Sequence, residues 1–399
     1  MLLKNLRPAN DYDRFATETL EPWDLLFISR IRQLARGMTA GTIADIGTAT
    51  GVVPVRLATD PAMRGWRYVG IDLDPAMLDE GRPRIHELGL DDTIEMRVGD
   101  ALALTPDEGT RLAPGGRPAL RVAPPGRSLA DLAADAALDL RDQLGSGALA
   151  RTTHVIVASC ALNEGIGDSV VGRMQYELGL QRVTPFALGQ NGTLGWYSAL
   201  MLLDGLLDEG DQALVILSDK WLYPLFRQFG DLVGYGDAAA ALLVSRAGPA
   251  PEPAAWGGVR AVALEFGPSV TDPWADAPAA LRDTLAPVAA RAIRRALEQA
   301  NLRANQIDWC VPPGFDPGFA ARVADAASIP VGARIQHDGS GHLSSAESAA
   351  ALIRLAGALD EGERRTVLVW DAALHGGAAA AVVDLAGGLD AALDIEGDA

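Results

Sequence analysis

Val183-Thr-Pro-Phe-Ala-Leu-Gly-Gln-Asn-Gly-Thr-Leu-Gly-Trp-Tyr-Ser-Ala-Leu-Met-Leu202 is the stretch that decides the fold. Its apolar start, Val183 to Leu188, predicts a buried strand, and Leu194 to Leu207, apolar along one face, predicts a helix. Between them, Gly189-Gln-Asn-Gly-Thr193 predicts a sharp strand-to-helix turn. Such a turn presents one side chain at a helix N-terminus, where free backbone N–H groups favour developing negative charge. Thr193 is the residue placed there.

Outward from this stretch the chain repeats itself. A helix over Leu129–Leu144 and a strand over Thr153–Ser159 are echoed by a helix over Thr284–Asn301 and a strand over Ile307–Pro312. The helix after Thr193 is matched by Ser344–Leu359, entered through Gly339-Ser-Gly-His342. The glycine turn and small-residue strand Gly236–Ser245 is matched by His375–Asp384. Two halves with one order of elements predict a pseudo-twofold α/β architecture of buried sheets covered by helices. The halves span 128–246 and 259–399, joined by the Pro/Gly segment Ala247–Gly258. Under that twofold, the helices entered at Thr193 and His342 start at one central site.

Composition narrows the classes. The chain has 399 residues, 49% of them hydrophobic, and a formal net charge of -18. That charge argues against nucleic acid or an anionic membrane surface as partner. No apolar run approaches the roughly eighteen residues of a membrane span, and the N-terminus shows no signal pattern, so a cytoplasmic protein is expected. Two cysteines, Cys160 and Cys310, exclude a disulfide scaffold and a cysteine metal site, and the five histidines show no metal-ligand spacing, so no metal is expected.

The repeated pattern over about residues 117–385 resembles the ketoacyl synthase III family of the thiolase-like superfamily. The matching pieces are Leu120–Ala134, the strand 154–159, the turn 189–195, Tyr235-Gly-Asp-Ala-Ala-Ala, Val311-Pro-Pro and Gly341-His-Leu-Ser-Ser-Ala-Glu-Ser. The resemblance implies a five-layer αβαβα domain, an acyl carrier protein or coenzyme A thioester as partner, and a homodimer or a heterodimer with a related synthase. It also implies a cysteine, a histidine and an asparagine that activate the thiol and stabilise the thioester oxyanion. Those three positions fall on Thr193, Pro313 and His342, and all three differ from the family.

Two readings follow. In one, Thr193 and His342 form a nucleophile and base, with Asp338 orienting an imidazole, Asn191 positioning the thioester, and the N–H groups near Thr193 and Gly377 forming the oxyanion site. The protein is then a non-condensing acyltransferase of specialised metabolism; in a variant, His342 acts directly on the acceptor. In the other reading the chain is a degenerate synthase partner or scaffold.

Residues 1–104 carry a separate pattern. Asp45-Ile-Gly47-Thr-Ala-Thr-Gly51, Gly70-Ile-Asp72 and Gly99-Asp100 each lie at the end of a predicted strand, the second and third strands being Tyr68–Asp72 and Glu95–Asp100. A glycine turn admits close ligand approach, and a carboxylate at the next strand end accepts ribose hydroxyls. The segment resembles the front half of class I S-adenosylmethionine-dependent methyltransferases, a partial Rossmann-like unit. By that resemblance the Asp45–Gly51 loop holds the amino-acid end of the cofactor, Asp72 the ribose and Asp100 the adenine edge, and methyl transfer is a third expectation. The pattern stops after three strands, and 105–127 reads as a Pro/Gly-rich linker with one short strand, Ala119–Ala123. Residues 1–38 read as helical, with an amphipathic segment from Trp23 to Leu34.

Overall fold

Three parallel strands order the first part of the chain, in a computed structural model that describes residues 25, 27–29, 31–32, 35, 38–99, 120–124, 126–145, 147–160, 169–221, 227–246, 256–268, 278–337, 339 and 341–387. Two compact units divide it, Met1–Arg117 and Pro118–Ala399. Most of 1–38, Asp100, the linker from Thr105 to Ala119, and Asp338 lie outside the described residues. Among the described residues no helix is long and apolar enough to cross a membrane.

In the first unit β1 (Gly41–Ile46), β2 (Trp66–Asp72) and β3 (Ile94–Val98) form a parallel sheet in that order. Helices α1 (Val52–Ala58) and α2 (Pro75–Glu87) make the crossovers. Its core gathers Val55, Leu57, Met63, Trp66, Tyr68, Ile85 and Ile94. Ile28 joins that core from the N-terminal helical residues, while Leu25 and Phe27 are exposed.

The second unit is built from two four-stranded sheets. One runs β5-β4-β6-β9, from β4 (Thr152–Ala158), β5 (Thr184–Leu188), β6 (Gln212–Asp219) and β9 (Ala238–Ser245). The other runs β10-β13-β12-β11, from β10 (Gly257–Phe266), β11 (Trp309–Val311), β12 (Arg364–Ala373) and β13 (Gly377–Ala386). A short hairpin, β7 (Gln228–Phe229) and β8 (Val233–Gly234), stands apart from both. Strands β4 and β6 are parallel with β9 antiparallel, and β11, β12 and β13 repeat that pattern. The duplicated order of elements in the sequence is therefore a duplicated topology.

Three hydrophobic cores set the layers. The middle one joins α5 (Gly195–Leu206) and α8 (Glu347–Gly357) to the facing sides of both sheets. An outer core packs α3 (Leu129–Leu144) and α4 (Val170–Glu177) on the first sheet. The other outer core packs α6 (Pro278–Gln299) and α7 (Pro317–Ala326) on the second. The alternation of strands matches this: Ile156, Val215 and Leu217 face inward, and Val155, Val157 and Ile216 outward. Helix α3 starts in a full capping box, Ser128 with Asp131, which fixes its first turn.

Two expectations are corrected here. Residues Val183–Leu188 do not make a buried strand: β5 is an edge strand whose residues are exposed or half-buried. Pro185 lacks the N–H that a central strand needs, and this explains its place at the edge. Residues 120–124 join no sheet; they are held by Asp237, whose N–H donates to the Arg121 carbonyl and whose Oδ2 accepts from Ala123 N at 2.9 Å.

Asp237 also accepts from Trp221 N and from both terminal nitrogens of Arg227, at 2.7 and 2.8 Å, and both side chains are buried. Removing one partner strands the other charge. Asp237→Ala is therefore expected to lower stability by about 3–5 kcal/mol in urea unfolding; a change under about 1 kcal/mol would show that the pair is solvated.

Candidate functional site

The polar centre of the second unit forms where strand ends and helix starts of both halves meet. Gln190 and Gly192 adopt left-handed φ angles of 60° and 55°, and these reverse the chain after β5. Only glycine fits at 192, because a Cβ there would lie 2.6 Å from Ala373 Cβ and 3.1 Å from His375 Nδ1. The tight turn Gly192–Leu194 leads into α5, and its counterpart Ser344–Ala346 leads into α8. The two turns pack on each other; the first also packs on β12, and the second on β6 and β9. Thr193 sits in the first and is buried.

Thr193 donates its Oγ1 proton to the Ala372 carbonyl at 3.3 Å. His342 is fully buried; its Nδ1 accepts from Ser344 N at 2.9 Å, and its Nε2 faces Asp371 Oδ1 at 3.0 Å. The structure therefore does not bring the imidazole onto the threonine. Both ring nitrogens are engaged elsewhere, and the proton of the neutral ring lies on Nε2, because Nδ1 must keep a lone pair for Ser344. Asn191 turns its amide back onto Ser198 of α5. Gly377 starts β13, pairs with Phe266 and Ala373, and places its α-carbon against His375 and Leu194. The Val-Pro-Pro strand end does meet the Gly341 loop, since a Cβ on Gly314 would lie 2.4 Å from the Gly341 carbonyl oxygen.

Around His342 stand charges that the sequence reading did not single out. Asp371, at the end of β12, bonds His342 and Ala372 N through Oδ1; its Oδ2 is buried without a hydrogen-bond partner among the described residues. Glu347 Oε2 accepts from Leu343 N at 2.5 Å and lies 3.8 Å from His342 Nδ1, while Oε1 pairs with His337 at 3.0 Å. Asp219, ending β6, accepts from Cys160 N, Ser345 N and the Cys160 thiol, the last at 3.4 Å. The signal was present: each aspartate directly follows an apolar strand run, Leu214–Ser218 and Val367–Trp370.

The proton affinities follow from burial and neighbours. Burial alone would lower His342, but the Asp371 and Glu347 charges outweigh it and raise its pKa. Burial would raise Glu347, yet the His342 and His337 charges bring it below the ordinary carboxylate value. Burial dominates at Asp371, which is raised, and at Asp219, which is raised to about 6. Burial and the Asp219 charge hold the Cys160 thiol well above its ordinary value, so it is a packed thiol rather than a nucleophile.

His375 differs from the other histidines of this centre. It lies in the turn between β12 and β13, is partly exposed, and has no hydrogen bond on either nitrogen among the described residues. Its ring is set between Gly192 and Gly377. His154, far from this role, stacks on Phe186.

In the first unit the glycine loop closes on β2. Gly47 N and Thr48 N donate to the Ile71 carbonyl, Thr48 Oγ1 to Asp45 Oδ2, and Ala49 N to Asp72 Oδ2 at 2.8 Å. Asp72 Oδ1 accepts from Asp74 N. Asp72 thus holds the glycine loop through Oδ2 and its own turn through Oδ1, each oxygen keeping a further lone pair. Gly47 has φ +76° and nothing within 4 Å of a Cβ position, whereas Gly51 packs on Met96. An open hollow of about 460 Å³ in this unit, lined by Asp79, Arg82, Ile85, His86 and Met96 among others, includes none of Asp45, Gly47, Gly51 or Asp72.

Neither a protein-family profile nor a curated protein sequence matches the chain. Solved structures do. The chain is similar to ChlB3, an acyltransferase, at 20% identity over 67% of this chain and 87% of that one, with a TM-score of 0.55. It is similar to β-ketoacyl-[acyl carrier protein] synthase III from Thermus thermophilus at 22% identity, covering 67% and 87%, with a TM-score of 0.53. It is similar to AbyA1, a tetronic acid condensing enzyme, at 17% identity, covering 71% and 95%, with a TM-score of 0.52. The fold is therefore mixed α/β with parallel-sheet layers, like that of the ketoacyl synthase III and thiolase-like enzymes.

The raised pKa of Asp219 fixes the sign of one pH effect. The folded chain binds this proton more readily than the unfolded chain, so the ionised form costs stability above pH 6, and that cost fades as pH falls through 6. Between pH 7 and pH 5, wild type should gain roughly 1 kcal/mol relative to Asp219→Asn in urea unfolding. Parallel pH profiles for the two proteins would show that Asp219 titrates normally.

Proposed function

We propose that the chain is a ketoacyl-synthase-III-like, non-condensing acyltransferase. It moves an acyl group from an acyl carrier protein or coenzyme A thioester to an oxygen or nitrogen acceptor in specialised metabolism. The observation that carries this reading is the meeting of the two helix-start turns, at Thr193 and at Ser344–Ala346, beside the end of β12. Helix N-termini of this kind stabilise a developing oxyanion. The frame for a thioester carbonyl is thus retained, while Thr193, Pro313 and His342 stand where condensation needs cysteine, histidine and asparagine. A proline has no proton to exchange, which argues against carbon–carbon bond formation. The likeness to ChlB3 supports the same reading.

Thr193 holds its proton against a carbonyl at a long 3.3 Å, a bond that a substrate group can replace. His342 keeps its buried partners and acts as a positioning residue rather than as the base. A second reading, a silent subunit that pairs with a related synthase, is favoured by the same closed hydrogen bonds on Thr193 and His342. The exposed edge strand β5 suits pairing with a second chain in either case, as a homodimer or a heterodimer.

For the first unit we propose S-adenosylmethionine binding, supported by the parallel sheet, the open Gly47 and the spare lone pairs of Asp72. The loop from Asp45 to Gly51 would hold the amino-acid end and Asp72 the ribose; the bound cofactor would supply an electrophilic methyl group. Calorimetric titration should give binding heat with wild type and none with Asp72→Ala; no heat from either protein ends this reading.

Acyl transfer is tested with a panel of acyl-coenzyme A and acyl-carrier donors, each with amine and alcohol acceptors, read by free-thiol release and product mass. We expect acceptor-dependent thiol release and no carbon–carbon product with malonyl donors. Absence of release from every donor, together with co-purification of a related synthase, would establish the silent-subunit reading instead.

A further inference from the structure

We infer that His375 is the general base of this centre, accepting the proton of the attacking alcohol or amine; the inference rests on the acyl-transfer reading. Three observations lead to it. First, the histidine that the spacing suggested, His342, has both ring nitrogens occupied and no exposed surface, and the Val-Pro-Pro strand end offers Pro313. Second, His375 enters from the β12–β13 turn and lies directly against the turn that carries Thr193. A Cβ on Gly192 would sit 3.1 Å from its Nδ1, and a Cβ on Gly377 would sit 3.1 Å from its Nε2. Two glycines, one from each half, leave the space this ring fills. Third, neither nitrogen has a hydrogen bond among the described residues and the side chain is partly exposed, so a lone pair is free for an incoming group.

The electrostatics agree with that placement. Burial lowers the pKa of His375 below the ordinary histidine value. The ring lies against Gly192 and Gly377, and among the described residues no charged group opposes the effect of burial. The ring is neutral at pH 7 and ready to take a proton, whereas the carboxylate neighbours of His342 shift that ring in the opposite direction.

The step balances without a further reactant. The acceptor oxygen or nitrogen attacks the thioester carbonyl carbon as His375 takes its proton. The carbon–sulfur bond then breaks, and the imidazolium returns the proton to the departing thiolate. An acyl ester or amide and a free thiol result.

The test compares wild type, His375→Gln and His375→Ala, all as the full chain, by thiol release from pH 5 to pH 9 with the best donor and acceptor. Wild-type kcat/KM should fall with pH below the imidazole pKa, and His375→Gln should lose that limb and about 10²-fold or more in rate at pH 7. Added imidazole should restore part of the His375→Ala rate, which a purely structural role would not allow. Unchanged thermal unfolding of both variants excludes misfolding as the cause. If His375→Gln keeps the wild-type rate and pH limb, His375 is not the base, and the acyl-transfer reading survives. If wild type releases no thiol, that reading falls and takes the role of His375 with it.

Discussion

The buried imidazole of His342, held between Asp371 and Ser344 N with Glu347 at 3.8 Å, is the constraint on which the centre of the second unit depends. A charge in such a place costs several kcal/mol unless it is paired, so each member fixes the position of the next. Asp371 ties the ring to the end of β12, and Glu347 ties it to the first turn of α8 and to His337. Asp219 performs the same service from the other half, joining β6 to Cys160 after β4 and to Ser345 before α8. The two sheets share an apolar middle core, but apolar contact leaves register loose. Charge pairs at strand ends define it.

That arrangement also decides what chemistry the centre can do. A base must present a free lone pair, and His342 can do so only by giving up Ser344 N or Asp371. Protonation at Nδ1 would turn the ring from acceptor to donor and commit it to Glu347 instead. Either way the ring serves the fold. His375 has no comparable duty, and its neutral imidazole lies beside the one turn that a thioester carbonyl would face. The division between a structural and a chemical histidine thus follows from hydrogen bonding and burial rather than from sequence position.

Much of this architecture is legible in the sequence. The bounds of α3 coincide with the periodic segment Leu129–Leu144, because a serine cap and a glycine close it at both ends. The paired small-residue strands β9 and β13 are equally plain, since a glycine turn precedes each. What misled was apolarity without context: Val183–Leu188 looks interior, yet its strand lies at an edge, where Pro185 pairs with Val155 on one side and has no N–H to offer a second neighbour. The pairing of Thr193 with His342 failed for a related reason. Spacing predicts which elements converge, and the turns do converge, but it cannot weigh two carboxylates against a hydroxyl for one imidazole. Those carboxylates come from positions far apart in the chain, and Asp371 sits inside an apolar run, where its side chain gives no local sign of its partner.

The halves are alike in topology and unlike at their borders, and the difference bears on where function lies. In the C-terminal half β13 is paired on both sides, by β10 and β12, so the β12–β13 turn is anchored along ten residue pairs on one side. In the N-terminal half β9 has a partner on one side only among the described residues, and β5 takes the outer place next to β4. A group that must hold a fixed angle to a substrate is better placed on the doubly paired strand, because fewer motions carry it away. His375 has that support, with Gly267 N bonded to the carbonyl of the adjacent Gly376. Thr193, on a turn between an exposed edge strand and a buried helix, depends on Ala372 and Ala373 of the opposite half for its position. Precision at the centre therefore comes from the C-terminal half, and the N-terminal half contributes the helix start against which that precision acts.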